Sequence, residues 1–141
     1  MSEKPSILFV CNMNSVRSPM AAALLSQQVG GAAIVDSAGV YEGWLDPFVE
    51  AVMQELELSL EDHEPKAMKS LDLEAFDAII ALTREAADAA AERVSEEKVE
   101  FWDVPNPSNA RRERDEVMAA YRATREMLAT KIADRFKGLG A

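Results

Sequence analysis

Apolar and polar residues follow one another in blocks along this chain, and the spacing inside the blocks changes between two periods. Short runs that are almost wholly apolar predict strands buried on both faces of a sheet. Longer segments in which apolar residues return every three or four positions predict amphipathic helices. The predicted strands are residues 6–10, 32–36, 77–82 and 98–102, and the predicted helices are residues 19–29, 47–56, 84–94 and 110–136.

The helical spacing also predicts which side chains face the core. Phe48, Val52 and Leu56 recur every four residues and should form the apolar side of the second helix. Thr83 precedes the third, alanine-rich helix and is expected to cap it. In the final helix the apolar stripe consists of Val117, Tyr121, Leu128, Ile132 and Phe136.

Strands and helices that alternate along a chain predict a parallel α/β sheet joined by right-handed crossovers. Ligands of such sheets bind beyond the carboxyl ends of the strands. Cys11 follows the first predicted strand, Ser37 follows the second, and the proline-rich loop 103–107 follows the fourth. We therefore expect these three places to share one rim of the sheet.

Composition narrows the class of protein. A chain of 141 residues, 48% of them hydrophobic, predicts one globular domain over residues 1–141. No apolar run approaches the roughly 20 residues of a membrane span, and no signal peptide precedes Ile7. The single cysteine excludes an internal disulfide and is typical of a reducing compartment. We expect a cytoplasmic protein without a membrane partner.

Charge and metal-ligand content exclude further classes. The formal net charge of −10 argues against nucleic acid as a partner. One histidine, His63, and one cysteine are too few for a dedicated zinc or iron site, so no metal or other cofactor is expected.

Acidic residues are concentrated in residues 42–64, which contain no Lys or Arg. A solvated helix face that keeps the protein soluble explains such a cluster. The alternative is that the cluster borders an active-site mouth and selects phosphorylated groups with basic neighbours. Its members are Glu42, Asp46, Glu50, Glu55, Glu57, Glu61, Asp62 and Glu64.

The segment from Cys11 to Pro19 carries the clearest chemical signal. Cys11 ends an apolar strand, Arg17 follows after five residues, and Ser18-Pro19 predicts a helix start with Ser as N-cap. Unpaired N–H groups at a helix N-terminus favour an anion, and a thiol placed there ionises readily. The guanidinium of Arg17 can bind two oxygens of a tetrahedral oxyanion. Asn14 tolerates the left-handed backbone that a tight loop requires.

A cysteine at the end of a core strand also has a simpler interpretation, since such a residue is commonly just a small buried hydrophobe. The strand, the five-residue gap, the arginine and the Ser-Pro helix start occur here in the order that an anion-binding loop requires. This order favours a catalytic or anion-binding cysteine.

The loop from Cys11 to Ser18 resembles the phosphate loop of low-molecular-weight protein tyrosine phosphatases, and arsenate reductases of the same fold share it. The resemblance extends over essentially the whole chain, through residues 35–39, the Asp46-Pro47 pair, His63 and residues 102–107. It implies a flavodoxin-like fold with a four-stranded parallel sheet and helices on both faces.

By this resemblance Cys11 is the nucleophile that forms a phosphocysteine, and the Ser18 hydroxyl donates to its sulfur. Asn14, Ser18, Ser37 and His63 match a buried hydrogen-bond network behind the loop, although His63 taken alone would be interpreted as structural. The phosphate-binding residues implied are Asn12, Met13, Asn14, Ser15, Val16, Arg17 and Ser18.

The chain departs from the family pattern at the general acid. Asn106 stands where the family has Asp, and an amide cannot deliver a proton. Losing a positioned general acid costs about 10²–10⁴ in rate. Asp103 could substitute if the loop turns it inward, whereas an Asp at such a place more commonly caps a turn. We expect slow turnover, above all of esters with poor leaving groups.

Other departures concern the substrate wall and redox chemistry. The aromatic pair that commonly follows the general acid is replaced by Ser108-Asn109, so Tyr41 and Trp44 are the candidates for stacking on a substrate ring. Val16 replaces a second loop cysteine, and Met13 stands where Gly is common. The two further cysteines of thioredoxin-coupled arsenate reductases are absent, because Cys11 is the only cysteine.

These residues predict a slow cysteine-dependent phosphatase that acts on aryl phosphate or phosphotyrosine esters, in small molecules or in proteins. One alternative is an arsenate reductase that borrows an external small thiol. Another is a non-catalytic binder of phosphate, arsenate or a phosphoprotein.

Overall fold

The computed structural model describes residues 4–14, 16–41, 43–60, 63–107 and 113–139. Strands and helices alternate through these residues, as the hydrophobic pattern predicts. Three short 3₁₀ turns complete the order, at Met68–Ser70, Leu73–Ala75 and Glu96–Lys98. The main elements are β1 (Ser6–Cys11), α1 (Arg17–Val29), β2 (Ile34–Gly39), α2 (Pro47–Gln54), β3 (Ala78–Ala81), α3 (Arg84–Ala91), β4 (Val99–Phe101) and α4 (Arg114–Arg135).

The four strands form one sheet in the order β2-β1-β3-β4, and every neighbouring pair is parallel. Side chains of β1 alternate between two apolar layers, with Phe9 in one and Leu8 in the other. The layer that contains Phe9 packs beneath α1, α2 and α4, whereas the layer that contains Leu8 packs beneath α3. This is the predicted flavodoxin-like fold, and it places the carboxyl ends of all four strands on one rim.

The predicted boundaries differ most at β2, which is two residues later than expected at its start. Its register with β1 runs from Ser6 opposite Ile34 to Cys11 opposite Gly39. Backbone pairing with β1, rather than the apolar run alone, decides where this strand lies. The predicted segment 32–36 is therefore corrected to Ile34–Gly39.

Two predicted helix faces also need correction. In α2 the buried residues are Val49, Val52 and Met53, whereas Phe48 and Leu56 are only half-buried. In α4 the buried face includes Met118, and Val117 lies at its margin. The predicted start of α4 at residue 110 lies outside the described residues. In α2 the tertiary partners therefore rotate the buried face by about one residue from the predicted stripe, whereas in the final stripe Tyr121, Leu128, Ile132 and Phe136 are buried as predicted.

The helix starts show which polar groups are local caps. Thr83 accepts a hydrogen bond from the Ala86 amide, so the predicted cap of α3 is confirmed. The prediction for α1 is wrong, because α1 begins at Arg17 and its N-cap position is Val16, which makes no side-chain cap. Ser18 lies inside the first turn, and its hydroxyl is engaged elsewhere. Within the described part of the chain no helix is both long and apolar enough to cross a membrane.

Candidate active site

Cys11 lies at the carboxyl end of β1, at the floor of a pocket that opens on the rim of the sheet. Its side chain is buried, and its Sγ lies 3.0 Å from the Ser18 Oγ. α1 begins at Arg17, so the Ser18 hydroxyl that contacts the sulfur belongs to the first turn of a helix. A thiol at a helix N-terminus is placed where an anion is favoured.

Arg17 contributes a guanidinium to the same pocket. Its Nη1 donates to the Val104 carbonyl oxygen at 2.9 Å, which fixes the side chain against the loop that follows β4. Its Nε is buried and has no hydrogen-bond partner in the described structure. Burial lowers the pKa of Arg17, and the nearby Cys11 acts in the opposite direction. A buried cationic donor without a partner is costly, and a tetrahedral oxyanion would satisfy it.

The pocket has a volume of about 220 Å³ and mixes amide, cationic, acidic and apolar groups. Met13 and Val16 supply the apolar part of the wall. Asn12 is fixed by a residue outside the pocket lining, because its Oδ1 accepts a hydrogen bond of 2.7 Å from the hydroxyl of Thr83, which also caps α3. The lining residues are Cys11, Asn12, Met13, Val16, Arg17, Asp46 and Asn106.

Behind the loop, Asn14 joins the predicted polar residues into one network. Its Nδ2 donates to the Ser18 Oγ at 2.8 Å and to the Ser37 Oγ at 3.0 Å, and its Oδ1 accepts from the Lys66 amide at 3.0 Å. The backbone of Asn14 has φ 55°, and the side chain is fully buried. The network therefore holds the loop in a left-handed conformation that few non-glycine residues adopt.

His63 completes this network from the segment that follows α2. Its Nε2 lies 3.2 Å from the Asn14 carbonyl oxygen. Burial lowers the pKa of His63, and the charge of Lys66 acts in the same direction. The neutral ring is therefore favoured near neutral pH, and the residue supports the loop from behind rather than facing the pocket.

Gly39, at the end of β2, permits the close approach that shapes the loop. A Cβ at this position would lie 2.6 Å from the Asn14 nitrogen and 2.8 Å from the Asn12 oxygen. The next residues donate back to the loop, since the Val40 amide bonds the Cys11 oxygen and the Tyr41 amide bonds the Asn12 oxygen. This close backbone approach is a tertiary feature that no local sequence pattern predicts.

The acidic groups near the site are arranged differently from the expectation. Asn106 lines the pocket, whereas Asp103 is exposed and is not among the lining residues. Asp46 lines the pocket instead, and the sequence had named it only as one member of the acidic cluster that could border an active-site mouth. Its carboxylate accepts hydrogen bonds from the Phe48 amide at 2.8 Å and from the Tyr121 hydroxyl at 2.6 Å. The order Asp46-Pro47 is typical of a helix start, and Asp46 is the N-cap of α2, but this local pattern does not show that the carboxylate reaches the pocket.

Asp46 is the one described member of the acidic cluster that reaches the pocket. Glu50, Glu57 and Glu64 are exposed. Glu55 belongs to a cluster between α2 and α4, in which hydrogen bonds from Arg122 and Arg125 lower its pKa to about 2. Glu42, Glu61 and Asp62 lie outside the described residues.

The remaining expected residues lie at the rim or beyond it. Tyr41 and Trp44 are 53% and 79% exposed, and neither lines the pocket. The Tyr41 hydroxyl donates to the Glu85 carboxylate, and this hydrogen bond raises the pKa of Tyr41. Ser15, one of the expected phosphate-binding residues, lies outside the described residues, as does the Ser108-Asn109 pair. In the described ranges no group of three or more His, Cys, Asp or Glu side chains could hold a metal ion.

Comparison of the sequence with known protein families identifies the family that the Cys11–Ser18 loop resembles. The family model described as low molecular weight phosphotyrosine protein phosphatase matches residues 6–140. The arsenate reductase of Bacillus subtilis (strain 168) is 26% identical over 132 residues, which cover 94% of this chain and 95% of that protein.

Solved structures with a similar fold include one named as a phosphatase and one named as an arsenate reductase. The YwlE arginine phosphatase from Geobacillus stearothermophilus has a TM-score of 0.78 and 29% identity, over 94% of this chain and 90% of that one. An arsenate reductase in the phosphate binding state has a TM-score of 0.79 and 20% identity, over 96% and 98% of the two chains. At this identity the second structure is evidence of the shared fold alone.

Proposed function

Because the chain belongs to the low molecular weight phosphotyrosine protein phosphatase family, we propose that it is a cysteine-dependent phosphatase of aryl phosphate or phosphotyrosine esters. The observation that carries this proposal is the pairing of two groups in one pocket. The buried sulfur of Cys11 lies at its floor, and the unpartnered Nε of Arg17 is buried in its wall. A nucleophile and an anion-binding cation are the two groups that phosphoryl transfer requires.

In the first step the Cys11 thiolate attacks phosphorus, and the bond from phosphorus to the ester oxygen breaks. Arg17 and the loop amides stabilise the charge that spreads over the other three oxygens. The product is a phosphocysteine and a free alcohol or phenol. Since Asn106 cannot donate a proton, leaving groups that depart as stable anions react fastest.

In the second step water attacks phosphorus, the sulfur–phosphorus bond breaks, and the electron pair returns to Cys11. Ser18 assists here, because its hydroxyl oxygen already accepts a hydrogen bond from the Asn14 amide. The hydroxyl proton is then free to point toward the Cys11 sulfur at 3.0 Å or the Ala38 oxygen at 3.3 Å. A hydrogen bond to the sulfur stabilises the departing thiolate.

The second candidate is an arsenate reductase, and the 26% identity to the Bacillus subtilis arsenate reductase favours it. Cys11 would displace a hydroxide from arsenate and form a sulfur–arsenic bond. An external small thiol would then attack the Cys11 sulfur, leaving a mixed disulfide and releasing arsenite. This route takes both electrons from sulfur and needs the external thiol, because Cys11 is the only cysteine in the chain.

A side-by-side assay separates these functions. We expect turnover of p-nitrophenyl phosphate, a phosphate adduct on Cys11 by mass spectrometry, and no arsenite from arsenate plus a small thiol. Phosphoarginine belongs in the same panel, because one similar structure is an arginine phosphatase. Arsenite release without ester hydrolysis would select the reductase, and phosphate binding without either reaction would select the binder. Cys11→Ser is the control that must abolish turnover while retaining phosphate binding.

A further inference from the structure

We propose that Asp46 is the general base that activates water for hydrolysis of the phosphorylated Cys11. This inference rests on the proposed phosphatase function and adds a proton acceptor to its second step. Asp46 caps α2, 35 residues beyond the nucleophile in sequence (46 less 11) and on a different rim loop.

The contents of the pocket single out Asp46. Its wall holds the amide side chains of Asn12 and Asn106, the apolar side chains of Met13 and Val16, and the Arg17 guanidinium. Asp46 supplies the only carboxylate among the lining residues that the structure describes. Amides, thioethers and a guanidinium do not accept a proton near neutral pH, whereas a carboxylate does. The group available for proton transfer is therefore at the N-terminus of α2, and not on the loop after β4.

The carboxylate of Asp46 is held in place from two sides. The Phe48 amide in the first turn of α2 donates to Oδ1 at 2.8 Å, and the buried Tyr121 hydroxyl from α4 donates to Oδ2 at 2.6 Å. Both contacts use the carboxylate as acceptor. An ionised carboxylate has about four acceptor positions, so two donors leave capacity for a water molecule. A fixed and ionised carboxylate is the form in which a general base acts.

The proposed step balances without any further reactant. The water oxygen forms a bond to phosphorus, its proton passes to a carboxylate oxygen of Asp46, and the sulfur–phosphorus bond breaks. Cys11 regains a thiolate next to the Ser18 hydroxyl, and phosphate leaves the pocket. Asp46 then returns its proton to solvent. As the proton acceptor of this step, Asp46 is not assigned the role of acid in the preceding one.

The experiment measures both steps separately in Asp46→Asn. Asn also caps helices, because its Oδ1 can accept from the Phe48 amide as the Asp46 Oδ1 does. Its Nδ2 can donate to the Tyr121 hydroxyl oxygen, so the substitution removes proton affinity, keeps the cap and reverses the direction of one contact. In rapid mixing with p-nitrophenyl phosphate we expect a burst of one nitrophenolate per Cys11 at the wild-type rate. The steady-state rate should then fall by about 10²–10⁴, with phosphate accumulating on Cys11.

Two matched variants complete the test. Asp72→Asn changes another helix-capping aspartate, whose carboxylate accepts from the Glu74 amide at 3.2 Å away from the pocket, and should leave both phases unchanged. Asp103→Asn removes the exposed carboxylate of the loop after β4 and should also leave both unchanged. Asp46→Ser retains a capping side chain and replaces Asp46→Asn if the latter fails to fold.

The outcomes divide cleanly. Wild-type turnover in the Asp46 variants, or a burst reduced as much as the steady state, would overturn the assignment of Asp46. Loss of the second step in Asp103→Asn would transfer the role to that residue and equally overturn it. Absence of p-nitrophenyl phosphate turnover in the wild-type protein, together with absence of a Cys11 adduct in Asp46→Asn, would instead refute the proposed function, and this inference with it.

Discussion

Asn14 is the residue on which the shape of the loop depends most directly. It combines a left-handed backbone with four hydrogen-bonding contacts, to Ser18, Ser37, Lys66 and His63. Ala would lose the side-chain contacts and would strain the backbone as well. Gly would lose the same contacts and keep the backbone conformation.

We therefore expect Asn14→Ala to lower the free energy of unfolding by about 1–3 kcal/mol. Asn14→Gly should recover the part of this loss that comes from the backbone. Urea unfolding of both variants measures the difference. Equal stability of Asn14→Ala and the wild-type protein would show that the network does not hold the loop.

Asn106 is the residue that we expect to set the leaving-group preference. Asn106→Asp places an ionisable carboxyl in the pocket wall, where it can protonate a departing oxygen. We expect kcat/KM for phosphotyrosine to rise by about 10²-fold, and for p-nitrophenyl phosphate to rise much less. Steady-state kinetics on both substrates measures the two ratios. An unchanged rate on phosphotyrosine would contradict the interpretation of this loop.

At the scale of elements, α2 and α4 are joined by charge as well as by apolar packing. Glu55 at the end of α2 contacts Arg122 and Arg125 of α4, and Arg125 also donates to the Val52 oxygen. Together with the contact of Asp46 to Tyr121, these bonds tie both ends of α2 to α4. The acidic wall of the pocket is therefore positioned by the final helix.

This cluster predicts a pH dependence of stability. The pKa of Glu55 is lowered from 4.5 to about 2 in the folded state, chiefly by the hydrogen bond from Arg122. The stabilisation is fully present above the unfolded-state value and is lost as pH falls toward the folded value. We expect the Glu55→Gln variant to lose less stability than the wild-type protein as the pH falls from 4.5 to about 2.

Thermal unfolding of both proteins across this pH range measures the effect. Glu57→Gln is the matched control, because Glu57 is exposed and lies two residues from Glu55. Parallel pH profiles for the wild-type protein and Glu55→Gln would contradict the expected contribution of Glu55.

At the scale of the whole molecule, the net charge of −10 attracts positively charged groups of a substrate and repels negatively charged ones. Asp46 brings part of the acidic cluster to the pocket itself, so basic groups next to a phosphorylated side chain should be attracted. We expect phosphotyrosine peptides with basic neighbours to show higher kcat/KM than acidic ones at low salt. Added salt should reduce the difference, because it screens exposed charges. Equal rates for both peptides at low salt would remove this role of the cluster.

Local sequence signals predicted much of the fold and part of the candidate site. The apolar run before Cys11, the Asn14 position and the Thr83 cap were recognised because each depends on neighbours within a few residues. The start of α1 was misjudged for a related reason. Ser18 is a good N-cap by type, and only the approach of Asn14 and Cys11 shows that its hydroxyl is used behind the loop.

The sequence by itself determined the alternation of strands and helices, the place of Cys11 at the end of a strand, and the absence of an acid at position 106. Periodicity and spacing are sufficient for the first two features, because they arise from local backbone geometry, and the third follows from the resemblance to the family pattern. Only the tertiary structure decided that Arg17 is fixed by a hydrogen bond to Val104, 87 residues away. It also decided that Asp46 lies in the pocket wall, held by a hydrogen bond from Tyr121, 75 residues away. Such contacts follow from how the sheet and helices pack, and no local pattern records them.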